Sequence, residues 1–125
     1  LIADGKAQTK ANKTAFVLRQ QMNEVAAKAG REACVYGDAS VFHVFLGLCE
    51  YRGECDRVLC LRGPEALAAT RGAVSGSFRR SMANCGVDLL GTGGLVSAVH
   101  QPEDIARTVE AFATTLDRMA AEGRL

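Results

Sequence analysis

The 125 residues are enough for about one domain, and an apolar share of 48% can furnish its core. A formal charge of +1 supplies no long-range field to gather DNA, RNA or an anionic membrane, so nucleic acid and membrane are not expected partners. No apolar run approaches the roughly 20 residues of a membrane span. The opening LIADGKAQTKANK lacks the basic-then-apolar order of a secretory signal and has no initiating Met. It therefore reads as the interior of a longer, cytoplasmic protein, with residues 1–125 forming a single domain of it. The five cysteines are Cys34, Cys49, Cys55, Cys60 and Cys85. Their odd number and the lack of a CxxC argue against a secreted disulfide framework and a zinc ribbon. Cys49, Cys55 and Cys60 lie close to Glu50, Glu54 and Asp56, which raises a metal site. Cysteine used as a small hydrophobe is the expected alternative, with no metal bound.

In chain order, Ala11, Ala15, Leu18, Met22, Val25 and Ala29 recur in steps of three and four and predict a helix over residues 9–29, closed by Gly30. ACVYG and SVFHVFLG are β-branched and aromatic segments separated by GDAS, the pattern of a β-hairpin. Residues 47–63 carry mixed charge and two internal glycines and read as a loop or weak edge segment. A second helix is expected between Pro64 and Cys85, with Leu67, Val74, Phe78, Met82 and Cys85 on one face and Gly86 ending it, although Gly72 and Gly76 interrupt its first half. VDLL and LVSAVH read as two further strands. Pro102 suits the first turn of a third helix, with Glu103 and Asp104 placed against its N-terminal dipole. Ile105, Val109, Phe112, Leu116 and Met119 form its stripe, and Gly123 ends it. The order α-ββ-α-ββ-α has too few long crossovers for a doubly wound sheet. It predicts an α+β fold, a small, mainly antiparallel sheet with three helices packed on it.

The glycine-rich turn Gly91-Thr92-Gly93-Gly94 feeds an apparent strand, whereas a phosphate loop feeds a helix whose N–H groups converge on the anion. Two readings stay open: a tight connection, or a place where a ligand approaches the backbone closely. His43 alternates within VFHVF and is expected to be a packed, hydrogen-bonded residue rather than a ligand. His100 precedes a helix start, where a ring can bond the first-turn backbone as a cap. Ser40, Ser75, Ser77, Ser81 and Ser97 sit in no nucleophile elbow. Arg79 and Arg80 could clamp an anion but are expected to be solvated. All four lysines, Lys6, Lys10, Lys13 and Lys28, fall in the first 28 residues, away from any strand end where desolvation would make an amine nucleophilic. No nucleophile, base and orienting group assemble, so no residue is expected to be catalytic in this chain.

FRRSMANCGVDLLGTGGLVSAVHQPEDIARTVEAF resembles the C-terminal domain of class III, fold type I pyridoxal-phosphate enzymes, in particular glutamate-1-semialdehyde aminomutase and related aminotransferases. The signature S-x-x-H-x-x-x-D-I-x-x-T is met by Ser97, His100, Asp104, Ile105 and Thr108, and the likeness runs from about Lys10 to Glu122. The hairpin, with Phe42, Val44 and Phe45 in its second strand, is also similar to that of the family. The resemblance implies the small domain of a homodimeric enzyme that transfers an amino group on an amino-acid-like substrate. Its pyridoxal phosphate would be held by a large domain through a lysine that has no match here, so the 125 residues alone would be inactive and bind no cofactor. Gly91, Thr92, Gly93 and Gly94 would then form a wall of the substrate pocket. The aminomutases tend to carry a longer stretch with a carboxylate at this point, and here no acid follows Asp88 before the next helix, so a related aminotransferase with another amino donor fits at least as well as a mutase. From another class, a free-standing α+β regulatory or protein-interaction module would also lack catalytic groups.

Overall fold

The computed structural model describes residues 4–47, 63–69 and 73–125. Helix α1 spans Lys6–Lys28 and ends where the sequence calls for an end. Gly30 takes φ 64°, and the N–H groups of Gly30 and Arg31 return to the carbonyls of Ala27 and Ala26. Only a residue free of the Cβ penalty enters this left-handed position cheaply. The expected stripe is buried at Ala11, Ala15, Leu18 and Met22, while Ala29 lies exposed at the cap and Ala26 takes the last buried position.

Strands β1 (Ala33–Tyr36) and β2 (Val41–Leu46) form the expected antiparallel hairpin, with Val35 opposite Val44. Strand β3 is only Gly93–Leu95 and pairs antiparallel with the other side of β2, so the sheet order is β1-β2-β3. Two strands were expected from VDLL and LVSAVH. Instead Leu90 makes one isolated bridge to Gly93, and Leu89 and Val96 reach the core from turns on either side. The apolar residues are there to plug the core, not to extend a ladder.

Helical segments α2 (Pro64–Ala69) and α3 (Ala73–Asn84) stand where one helix was expected. Phe78 and Met82 are fully buried, with Val74 and Cys85 packed beside them. Leu67 does not share that face, because it packs with Cys34 and Phe45 on the opposite side of the sheet. Helix α4, Pro102–Ala121, buries Ile105, Phe112, Leu116 and Met119, and Phe112 meets Phe78 edge-on at 6.0 Å. It opens with the Gln101 N–H donating to the Asp104 carboxylate (2.8 Å), which satisfies one of the donors orphaned at a helix start.

The architecture is thus the expected α+β, with one sheet strand fewer. Helix α1 lies directly on β1 and β2, α4 packs on α1, and α3 on α4. The segment expected to be a loop or edge lies almost wholly outside the described residues, as do Cys49, Cys55 and Cys60 with their acidic neighbours. Among the described residues no three His, Cys, Asp or Glu side chains group as a metal site. No helix there is long and apolar enough to cross a membrane.

Candidate functional site at the glycine turn

Gly91 and Thr92 are the two central residues of a tight hairpin. Leu90 N–H donates to the Gly93 carbonyl (2.9 Å), and Gly93 N–H donates back (3.3 Å). Gly91 holds φ 68° with open space around it, which accounts for glycine there by backbone angle alone. Gly93 and Gly94 have a different cause. A Cβ on Gly93 would collide with the Phe42 carbonyl oxygen, and one on Gly94 would meet the Phe42 ring at 2.9 Å. The turn is therefore clamped onto β2, and the Val44 N–H donating to the Thr92 carbonyl (2.9 Å) fastens it.

This clamp brings Thr92 beside His43, residues that are far apart in sequence. With Tyr36, Phe45, Leu67 and Ser75 they line a hollow of about 80 Å³ on the sheet face away from α1. Small-molecule sites usually begin near 300 Å³, so these residues alone do not enclose a substrate. His43 is exposed and its ring lies 5.5 Å from that of Tyr36, so the expectation of a packed histidine is met only by this stacking contact. Leu90 and Leu95, flanking the turn, are 79% and 66% exposed, and Val99 beyond them 77%.

The residues of the S-x-x-H-x-x-x-D-I-x-x-T signature form one connected entry to α4. Ser97 N–H donates to His100 Nδ1 (2.9 Å), with the Ser97 hydroxyl 3.2 Å from the same atom. Thr108 donates to the Asp104 carbonyl (2.8 Å), and Ile105 is buried. His100 thus fastens the turn before the helix rather than the helix's first N–H groups, which corrects the expected cap. The signature is architectural: it holds the chain between β3 and α4 in one path. Arg79 and Arg80 are exposed as expected, Arg79 reaching Asp88 at 3.4 Å. All four lysines lie exposed on α1, so none offers the desolvated amine that a Schiff base to pyridoxal phosphate requires.

Sequence reasoning missed Arg19 and Asn23. Both are buried on α1, where Arg19 donates to the carbonyls of Ala39 (3.1 Å) and Val41 (2.8 Å). Burial lowers the pKa of the Arg19 guanidinium from its usual value, and Asp38 opposes that shift. Asn23 pairs with both main-chain groups of Val35, donating to the carbonyl at 2.7 Å and accepting from the N–H at 2.9 Å. The available signal was two polar residues four apart beside the apolar stripe.

No family model and no curated protein matches the chain. Solved structures do. An omega-transaminase from Sphaerobacter thermophilus superposes with a TM-score of 0.66 at 19% identity, over 87% of this chain and 23% of its own. A structure described as a transaminase with PLP bound gives a TM-score of 0.69 at 23% identity, over 96% of this chain and 25% of that one. The shared property is the fold, which this chain has in common with part of each transaminase. The chain spans about a quarter of their length.

Proposed function

We propose that these residues form the small domain of a pyridoxal-phosphate-dependent aminotransferase of class III type. The observation that carries the reading is the match of 96% of the chain to a quarter of a transaminase with PLP bound. The resemblance of residues 78–112 to the family's C-terminal domain supports it independently. In this reading a large domain supplies the cofactor, its lysine and most of the substrate pocket, and the enzyme works as a homodimer on an amino-acid-like substrate. The Gly91–Gly94 turn then covers one side of the substrate. It presents main chain and a single small hydroxyl, Thr92, while Leu90 and Leu95 provide an apolar rim for the rest of the enzyme to cover. The lack of an acid between Asp88 and Glu103 favours transamination over rearrangement of glutamate semialdehyde.

Flanking coding sequence is expected to hold roughly three times this length, by the 25% share above, and a lysine at a strand end. Within that enzyme the informative substitution is at Thr92. Gly93→Leu would collide with Phe42 whatever the function. Thr92→Leu should change the ratio of kcat/KM between two amino donors by about 10-fold or more, the effect of one or two methylenes in a pocket, with little change in Tm. An unchanged donor ratio in a folded enzyme refutes the pocket-wall role.

A further inference from the structure

A second hollow, of about 360 Å³, lies between α3 and the C-terminal half of α4, with no lining residue from the sheet or the glycine turn. Three guanidinium groups line it, those of Arg80, Arg118 and Arg124, against one carboxylate, Glu122. Each guanidinium carries about five N–H donors and no acceptor. Arg124 spends part of its set on Glu122 (2.9 Å) and on the Ser77 hydroxyl (2.6 Å). Among the described residues Arg80 reaches only that same hydroxyl, at 3.3 Å, and Arg118 only the Cys85 sulfur, at 3.6 Å. Since the Ser77 oxygen already accepts from two arginines, its proton points elsewhere. Ser81 also lines the hollow, and its buried hydroxyl has no hydrogen-bond partner among the described residues.

The hollow is thus rich in donors, short of acceptors and positive by two formal charges among the described residues. The C-terminal carbonyls of α4 would oppose an anion there. Those of Arg118, Met119 and Ala120 accept the N–H groups of Glu122, Arg124 and Gly123, and the partial negative charge that remains is outweighed by the three arginines. An acceptor-only group with several oxygens satisfies such a site, and planar guanidinium forks match phosphate oxygens in pairs. We propose that Arg80, Arg118, Ser77 and Ser81 form a binding site for a phosphoryl group, inorganic phosphate or a small phosphate monoester, separate from the glycine turn.

The test is a titration of the ¹⁵N-labelled 125-residue chain with inorganic phosphate at constant ionic strength held by chloride. Saturable shifts of the Ser77, Ser81 and Arg118 amides are expected. A joint Arg80→Gln and Arg118→Gln change should weaken binding at least 10-fold, and Arg107→Gln, exposed on α4 outside the hollow, should leave it unaltered. Ser81→Ala removes a donor without removing charge and should weaken binding severalfold, which keeps the test decisive should the double variant not fold. Glycerol phosphate binding as well as phosphate places a monoester in the site, and phosphate alone restricts it to the free ion. Either outcome supports the proposal. Shifts that never saturate, an equal loss in Arg107→Gln, or succinate binding as tightly as phosphate would each overturn it.

Discussion

The two faces of the sheet are made by the same strands and have opposite characters. Ala33, Val35, Phe42, Val44 and Leu46 point one way and join the stripes of α1, α3 and α4 in one core. Cys34, Tyr36, His43 and Phe45 point the other way, with Leu67 over them and the glycine turn at their edge. A strand turns successive side chains to opposite faces, so one hairpin supplies both sets. The first face is purely apolar and sealed by the chain's own helices. The second sets a phenol, an imidazole and a threonine around a small hollow, with the buried Cys34 thiol packed beside Phe45. The packed core is concentrated on one side and polar side chains on the other, so substitutions on the two should differ sharply in their cost to folding.

Phe112→Ala should be the most damaging change. The ring is fully buried and edge-on to Phe78, and its removal is expected to cost about 3–5 kcal/mol in urea unfolding. A loss below about 1 kcal/mol would mean that the helical face is not the sealed one. Asn23→Ala comes next. It strands both main-chain groups of Val35 in the core, and about 1–3 kcal/mol should be lost, with faster hydrogen exchange at the Val35 amide. Retained protection of that amide would show that water or another group replaces the side chain. The smallest effect is expected at His43→Ala, on the other face, where the ring is exposed. Its stability cost should stay within about 0.5 kcal/mol, as for other surface positions. A cost like that of Phe112 would erase the contrast between the faces.

The periodic parts of this division were legible in the sequence. Steps of three and four marked α1, α3 and α4, and the glycines Gly30, Gly86 and Gly123 marked their ends, each with φ above 60°. The hairpin's alternation was equally plain. What periodicity could not reveal is pairing between distant residues. LVSAVH has the composition of a strand, yet the clamp of Gly93 and Gly94 on Phe42 leaves only three residues in the ladder. Leu67 carried the right spacing for the α3 face but packs on the far side of the sheet, since spacing does not say where a helical segment is placed. The glycine turn stood out as a candidate, whereas the neighbours that give it chemistry, His43 and Tyr36, come from a hairpin some fifty residues earlier. Arg19 and Asn23 went unmarked because their partners are main-chain atoms, which no side-chain pattern records.

Asn23 and Arg19 also bear on the order in which the chain can assemble. Their bonds to β1 and β2 join residues only 12 to 22 positions apart, while β3 reaches β2 from about fifty positions away, Gly93 against His43. Closing a loop about four times longer costs roughly 1 kcal/mol more in chain entropy. Helix α1 and the hairpin can therefore close on each other as a local nucleus, and the strand bearing the glycine turn joins at greater entropic cost. A nucleus that includes neither β3 nor the turn leaves that turn free to vary in sequence with little effect on the folding rate.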